Sequence, residues 1–215
     1  QLIDIRVPPA SISIATGRKR SGKRLLMVGT DCCVGKKYSA LSLHKALQER
    51  GIAATFRATG QTGILIAGGG IPMDAVVSDF LSGAAETLTP DAASDHWDII
   101  EGQGSLFHPA YAAVTLGLLH GSQPDAMVLC HGSGRTVIDE YEDYHVPDLR
   151  ECVTQYEQAA RVTNRVSSIV GISLNTQGLS DDEALSACRD ASTLTGLPCV
   201  DPIRHALDSI LDALP

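Results

Sequence analysis

The residues with the clearest chemical meaning form a glycine- and lysine-rich turn over positions 29–37, with the sequence GTDCCVGKK. An apolar run precedes this turn and a helix-like segment follows it, which is the context of a phosphate-binding loop. In such a loop the backbone N–H groups surround one anion, and a lysine ammonium adds positive charge. The sequence therefore predicts a site for the phosphates of a nucleotide or nucleotide-like cofactor. The predicted cofactor-binding residues are Gly29, Thr30, Asp31, Cys32, Cys33, Val34, Gly35, Lys36 and Lys37.

The turn departs from the usual phosphate-loop pattern in two ways. Five residues separate Gly29 from Gly35, where the usual number is four. Lys37 occupies the position that normally supplies a Ser or Thr hydroxyl to Mg²⁺. Because an ammonium does not ligate a cation, we expect phosphate binding without the usual metal ligand and predict no metal site. A water-bound Mg²⁺ held by Asp31 or Glu101 is the alternative.

Glycines and polar residues follow each predicted strand, at the sheet edge where parallel α/β domains bind ligands. Glu101 ends one apolar strand, and we predict a catalytic carboxylate there, with a helix cap as the alternative. His108 and His131 join Glu101 as candidate acid–base groups, because histidine changes charge near neutral pH; the alternative for each is a structural role. Arg57 and Arg135 suit a carboxylate or phosphate, or a neighbouring acid. The predicted substrate-binding residues are Arg57, Thr59, Gln61, Asp79, Gln103, Ser105 and Arg135.

Apolar and amphipathic segments alternate from residue 24 onward. Most of the predicted strands are continuous apolar runs, which is typical of a parallel sheet covered on both faces. We predict strands at 25–28, 53–57, 97–100, 126–130, 168–174 and 197–200, and helices at 36–50, 72–87, 109–119, 148–162, 180–195 and 202–214. Gly51 and Gly121 are the predicted stops of the first and third helices. This order predicts a doubly wound α/β domain with a mostly parallel sheet, helices on both faces and a P-loop NTPase-like arrangement.

Amino-acid composition indicates which cellular compartment and which classes of binding partner suit the protein. The chain has 215 residues and a formal net charge of −8, which argues against nucleic-acid or membrane-surface binding. Its apolar stretches are too short to span a bilayer, and we find no signal peptide. The six cysteines include no C-x-x-C pair, which makes a zinc site an unfavourable interpretation. A reducing cytoplasm is the compartment that we predict.

The first residues differ in character from the rest. Residues 1–23 contain Pro8-Pro9 and a basic run at 18–20, and we predict an extended connector in which the basic run is a solvated turn. Residues 24–215 form the predicted P-loop domain, and because residue 1 is Gln we expect a preceding N-terminal domain as a partner. The apolar segment 111–119 predicts burial under a neighbouring element or a subunit contact, with burial preferred. We expect a homo-oligomer.

Several motifs resemble known families. The phosphate loop GTDxxVGK and the segment EGxG at 101–104 resemble dethiobiotin synthetase and other SIMIBI-class P-loop proteins. A broader similarity is to a family of D-glutamate N-acetyltransferases, once described only as a domain of unknown function. The similar segments are VGTDC and VGK in the phosphate loop, ATGQTG at 58–63, DAVV at 74–77, DF at 79–80, EGQGSL at 101–106, HPAY at 108–111 and LLHGSQPD at 118–125. They cover most of the first two thirds of the chain.

The resemblance implies an enzyme that transfers an acetyl group from acetyl-CoA to the amino group of a D-amino acid, with D-glutamate as the expected substrate. A phosphate loop suits the phosphates of coenzyme A. We expect direct attack of the amine on the thioester, with Glu101, His108 or His131 as the base and the Gly102–Gly104 amides as oxyanion donors. A thioester on Cys32 or Cys33 is an alternative route, because both thiols lie at a helix N-terminus near two lysines.

Two other functions fit the same motifs. One is an ATP- and Mg²⁺-dependent ligase or carboxylase-like enzyme related to dethiobiotin synthetase. The other is a nucleotide-binding switch module that binds without turnover. Lys37 argues against Mg-ATP chemistry, whereas Glu101 is compatible with all three functions.

Overall fold

A computed structural model describes residues 4–215. Its centre is a six-stranded sheet in the order β2-β3-β1-β4-β7-β8, in which every pair of neighbours is parallel. The strands are β1 Lys23–Gly29, β2 Ala54–Arg57, β3 Trp97–Ile100, β4 Ala126–Gly132, β7 Ser168–Asn175 and β8 Cys199–Val200. The predicted α/β class with a mostly parallel sheet is therefore confirmed.

Helices cover both faces of the sheet. They are α1 Lys36–Glu49, α2 Gln61–Ala67, α3 Leu81–Leu88, α4 Ala112–Ser122, α5 Leu149–Arg161, α6 Asp181–Thr195 and α7 Asp208–Leu211. Alternate residues of β1 belong to two separate cores: Leu26 and Val28 pack with α3, α4 and α5, whereas Leu25 and Met27 pack with α1 and α7. A continuous apolar strand is needed because both of its faces are buried.

Side chains fix two of the predicted helix starts. The Asp148 carboxylate accepts hydrogen bonds from the amides of Arg150 and Glu151 at the start of α5. Ser180 and Glu183 form a capping box at the start of α6. The predicted stop at Gly121 is wrong, because α4 continues to Ser122 and ends at Gln123, which has a φ of 49°.

Gly121 and Gly117 have another role, which is close helix packing. A Cβ at Gly121 would overlap the Ser82 carbonyl oxygen of α3, and one at Gly117 would lie 2.9 Å from the Leu81 Cβ. The predicted burial of the segment 111–119 is found on one face of α4 only. Leu118 and Leu119 are buried, whereas Tyr111 and Leu116 are exposed.

The structure corrects two further predictions of secondary structure and adds two elements. The predicted helix at 72–87 is wrong: two 3₁₀ turns, Met73–Ala75 and Ser78–Phe80, precede the short α3, and Val76 and Val77 between them are extended. The predicted helix at 202–214 is only the single turn α7, because Asp201 accepts the Ile203 amide and holds that segment in a turn. Helix α2 and the polar hairpin of β5 Val137–Ile138 with β6 Tyr141–His145 were not predicted.

The segment before β1 packs along α3. Glu86 of α3 accepts hydrogen bonds from the amides of Thr16 and Gly17. Arg20 is buried, and its guanidinium donates to the carbonyl oxygens of Thr89 and Gly121. The basic run is therefore a solvated turn only in part, because Arg18 and Lys19 are exposed but Arg20 is not.

Among the described residues, no helix combines the length and the apolar character that crossing a membrane requires.

Arg20 offers a stability test of this packing. We expect Arg20→Ala to lower the free energy of unfolding by about 1–3 kcal/mol, because it leaves two buried carbonyl oxygens without their donor. Urea denaturation measures the difference. Arg18→Ala is the matched control, since Arg18 forms an exposed ion pair with Asp91, and it should have a smaller effect. Equal losses in the two variants would contradict the buried role of Arg20.

Candidate functional site

The phosphate-binding loop connects β1 to α1 and is shaped by two left-handed residues. Cys33 has a φ of 56° and Gly35 a φ of 104°, and this alternation turns successive amides toward the same side, as in an anion-binding nest. Within the described chain, none of the amides of residues 33–36 donates a hydrogen bond to a protein acceptor. The loop therefore presents free N–H donors at the positive end of a 14-residue helix.

Lys36 is buried beside these amides. Its ammonium donates to the carbonyl oxygen of Asp31 at 2.7 Å, within its own loop. Burial lowers the pKa of Lys36, because a desolvated ammonium without an anion is unfavourable. Lys37, by contrast, places its ammonium 5.1 Å from the ring centroid of Tyr38. An anion bound in the loop would stabilise the charge of Lys36.

Gly102 leaves room for the side chain of Lys36. A Cβ at Gly102 would overlap the Met27 carbonyl oxygen and lie 3.0 Å from the Cδ of Lys36. The loop after β3 therefore packs directly on the phosphate-binding loop after β1.

Asp31 and Thr30 connect the loop to the segment after β4. The buried Asp31 carboxylate accepts hydrogen bonds from the Asp139 amide at 2.8 Å and from the Arg135 guanidinium at 3.3 Å. The Thr30 hydroxyl lies 2.8 Å from Nδ1 of His131. Burial and the positive charge of Arg135 lower the pKa of His131 to about 4, so its ring is neutral at physiological pH.

Glu101 lies across the start of α2. Its Oε2 accepts the amides of Thr59 and Gly60, both at 3.0 Å. A Cβ at Gly63 would overlap the same oxygen, so glycine is required there. Gln103 continues this network by donating to the Thr59 hydroxyl at 3.1 Å. Oε2 of Glu101 therefore caps a helix, which was the predicted alternative to a catalytic role. The capped helix is α2, whereas the alternative had named the helix that follows Glu101.

Tyr156 of α5 holds two of these loops together. Its buried hydroxyl donates to the Gly29 carbonyl oxygen at 2.6 Å and accepts the Leu106 amide at 3.1 Å. Burial raises the pKa of this phenol, so it stays protonated and can donate. Tyr156 was not predicted as a site residue, because one tyrosine on an amphipathic helix has the pattern of an ordinary core residue.

Three cavities meet around the phosphate-binding loop and form what we call the central crevice. Asn175 and Gln177, which follow β7, line all three. The mostly apolar lobe measures about 460 Å³, the hairpin lobe about 600 Å³ and the glutamate lobe about 610 Å³. Tyr38 lines both the apolar lobe and the glutamate lobe. The lining residues that distinguish the lobes are Pro202, Ile203 and Arg204 in the apolar lobe; Arg135, Asp139, Glu140 and Glu142 in the hairpin lobe; and Lys36, Lys37, Gln61, Glu101 and Gln103 in the glutamate lobe.

A fourth cavity of about 520 Å³, which we call the rear chamber, lies next to the glutamate lobe. It shares Cys32, Gln103 and Gly104 with the glutamate lobe. Apolar side chains form most of its wall, and the ion pair of Arg6 with Asp74, at 2.9 Å, lies at its edge.

The structure brings most of the predicted site residues together, but several lie apart from these four cavities. Arg57 pairs with Asp98 at 2.7 Å, which is its alternative role. Asp79 is exposed on a 3₁₀ turn, not inside the helix predicted at 72–87. The Ser105 hydroxyl is buried and accepts the Phe107 amide. Thr59 and His131 do not line the crevice, and they contact its loops through the hydrogen bonds described above.

His108 lies next to Cys32 and Asp31. One ligand-type atom from each of these three side chains lies within 4.8 Å of the others. A search for C-x-x-C spacing does not find this cluster, because its members come from two different loops. Asn175 and Gln177 were visible only as polar residues after a strand.

Comparison with known proteins adds the family. The sequence profile described as "Domain of unknown function (DUF1611_C) P-loop domain" matches residues 13–211. Two relatives named D-glutamate N-acetyltransferase, from Tritonibacter scottomollicae and a Pseudoalteromonas species, are 53% and 52% identical to the chain. The matches cover 99% and 98% of this chain but 64% and 63% of the relatives, so the chain spans just under two thirds of their length.

A solved structure agrees with this similarity. The crystal structure of a DUF1611 family protein from Anabaena variabilis superposes with a TM-score of 0.92 at 39% identity. The superposition covers 98% of this chain and 63% of that protein.

Removing the Tyr156 hydroxyl should loosen both loops. We expect Tyr156→Phe to lower the free energy of unfolding by about 1–3 kcal/mol, because the Gly29 carbonyl oxygen stays buried without its donor. Hydrogen exchange at the Leu106 amide should become faster. Tyr144→Phe on the exposed strand β6 is the control and should change neither quantity. A stable variant with unchanged exchange at Leu106 would contradict this role of Tyr156.

The low pKa of His131 predicts a pH dependence of stability. Its folded pKa, about 4, lies below the unfolded value of about 6.5. The unfolded chain therefore binds a proton first, and stability falls as the pH drops from about 6.5 toward 4, by up to about 3 kcal/mol. Urea denaturation across this range measures the slope. His131→Asn, which keeps an acceptor for Thr30, should reduce the slope; an unchanged slope would contradict the assignment.

Proposed function

We propose, for a chain that belongs to the DUF1611 family of P-loop domains, that the protein is an N-acetyltransferase that acetylates the amino group of D-glutamate with acetyl-CoA. The observation that carries the proposal is that the two D-glutamate N-acetyltransferase relatives are more than half identical across nearly all of this chain. Identity at this level, in matches that extend across all of the loops around the crevice, supports a shared site.

The central crevice is suited to coenzyme A. The free amides of residues 33–36 and the ammonium of Lys36 supply donors and charge for its diphosphate. The apolar lobe lies directly beside the loop, and Tyr38, Pro202 and Ile203 offer apolar surface to an adenine ring. The glutamate lobe on the other side of the loop has room for the thioester arm.

Charge around the loop favours phosphate binding without a metal ion. Lys37 stands where a metal-binding hydroxyl would be expected, and both Asp31 carboxylate oxygens already accept hydrogen bonds from protein donors. Coenzyme A is bound but not hydrolysed at its phosphates in an acetyl transfer, so no metal is needed to activate them.

Acetyl transfer also needs a base and donors for the oxyanion. Glu101 and His108 are candidate bases, because within the described chain Oε1 of Glu101 accepts no hydrogen bond and His108 lies beside Cys32 at the loop. His131, the third candidate, is a neutral ring with a low pKa. The amides of the Gly102–Gly104 turn are candidate oxyanion donors. Arg135 is the candidate partner for a substrate carboxylate. We place the reaction in the cytoplasm, which suits a chain whose six cysteines are free.

The second candidate is an ATP- and Mg²⁺-dependent ligase. The observation that favours it is the presence of two buried acids, Asp31 and Glu101, beside the loop, because such acids can hold a hydrated Mg²⁺. This function requires metal-dependent ATP binding and release of ADP.

Calorimetry separates the two candidates. We expect coenzyme A to bind without Mg²⁺, and Lys36→Ala to weaken binding more than about tenfold, or about 1.4 kcal/mol. Lys45→Ala, on the exposed face of the same helix, is the control and should bind normally. Full-length protein should then form N-acetyl-D-glutamate from acetyl-CoA and D-glutamate. Tight Mg²⁺-dependent ATP binding without affinity for coenzyme A would contradict the proposal.

A further inference from the structure

We infer that Cys32 carries the acetyl group as a thioester from the central crevice to an acceptor amino acid in the rear chamber. The inference rests on the proposed function and specifies its chemistry: a covalent acetyl-enzyme, rather than direct attack of the amine on acetyl-CoA.

The position of Cys32 is the first reason. It lines both the glutamate lobe and the rear chamber, and it is the one residue with a nucleophilic side chain that the two cavities share, the others being Gln103 and Gly104. Cys33 is more exposed and lines the crevice, but it does not line the rear chamber. A group bound to the Cys32 sulfur is therefore at the boundary of the two cavities.

The surroundings of Cys32 are the second reason. Its sulfur, a His108 ring nitrogen and an Asp31 carboxylate oxygen lie within 4.8 Å of one another, which brings together a thiol, a proton-transfer group and an acid. His108 is held firmly: its ring contacts Tyr111 at 4.4 Å and Tyr141 at 5.0 Å between centroids, and its Nδ1 accepts the Ala110 amide. Because Nδ1 accepts this hydrogen bond, the neutral ring carries its hydrogen on Nε2, which can donate toward the reacting sulfur atoms.

Asp31 and Lys36 set the electrostatics of the cluster. Asp31 is fixed by the Arg135 guanidinium and the Asp139 amide, so its charge is largely compensated. Burial raises the pKa of Cys32, and the nearby charge of Lys36 opposes that effect. Cys32 therefore rests as a thiol and must lose its proton during the attack. A hydrogen bond from the Nε2–H of His108 would stabilise the thiolate that forms.

The rear chamber is suited to the acceptor. Met73, Val76 and Val114 form an apolar part of its wall. Arg6 and Asp74 pair with each other at its edge, at 2.9 Å. A bound amino acid would replace this pairing, with its carboxylate on Arg6 instead of Arg135 and its amine on Asp74. An amino acid carries both complementary groups, whereas coenzyme A carries no amine of this kind.

The reaction balances in two steps. In the first, the Cys32 sulfur forms a bond to the acetyl carbon, the bond from that carbon to the coenzyme A sulfur breaks, and the proton lost by the Cys32 thiol ends on the coenzyme A sulfur. In the second, the acceptor ammonium first gives one proton to water, its nitrogen bonds to the acetyl carbon, the bond to Cys32 breaks, and a second proton from that nitrogen returns to the Cys32 sulfur. No oxidant, reductant or metal takes part.

An exchange reaction tests the first step without an acceptor. Labelled coenzyme A is incubated with acetyl-CoA and the protein, and the label that appears in acetyl-CoA is measured. We expect exchange with the unchanged protein, its loss to background in Cys32→Ser, and near-normal exchange in Cys188→Ala, which removes a buried thiol on α6 that lines none of the four cavities. Acid-quenched protein should carry one acetyl group on the Cys32 peptide, released by hydroxylamine.

The outcomes separate this inference from the proposed function. If acetyl-CoA binds and acetylation proceeds in Cys32→Ser, the relay is wrong and direct transfer stands. If a metal ion is found bound by Asp31, Cys32 and His108 and acetylation requires it, the cluster is a metal site and the relay is overturned. If acetyl-CoA does not bind at all, the proposed function fails and the relay fails with it.

Discussion

A buried lysine ammonium next to unpaired backbone amides is the constraint around which this molecule is arranged. Lys36 donates only to a carbonyl oxygen of its own loop, and the amides of residues 33–36 have no protein acceptor in the described chain. Such an arrangement is unfavourable by itself and becomes favourable with an anion present. The neighbouring loops hold this arrangement in place: Gly102 packs on Lys36, Asp31 binds the segment after β4, and Tyr156 fixes Gly29.

Function follows from where the loop lies in the sheet. Central strands β1, β3 and β4 end side by side, so the loops after them converge on one crevice, and the loop after β7 closes it with Asn175 and Gln177. The crevice has an apolar lobe on one side of the phosphate-binding loop and a polar lobe with Glu101 on the other. That division suits a long cofactor with a base, phosphates and a reactive arm, and Cys32 lies where the arm would meet a second cavity.

Sequence patterns predicted the fold well where a strand is buried on both faces, because such a strand must be apolar along its whole length. The continuous apolar strands are of this kind, and the central strands fall within a few residues of their predicted bounds. Prediction failed where local composition was misleading: the glycine-rich segment that forms α2, the extended Val76–Val77 pair, and the polar hairpin β5–β6. The hydrogen-bond partners of Arg57, Glu101 and Tyr156 could not be predicted either, because each pairing depends on tertiary contact between segments that are distant in sequence.

The central claim is that the phosphate-binding loop holds the diphosphate of coenzyme A. A crystal structure of the chain with coenzyme A bound tests it most directly. The account predicts diphosphate oxygens within hydrogen-bond distance of the amides of residues 33–36, with the Lys36 ammonium moved from the Asp31 carbonyl oxygen to the phosphates. Coenzyme A bound elsewhere, with Lys36 still on Asp31 and the loop empty, would contradict the account.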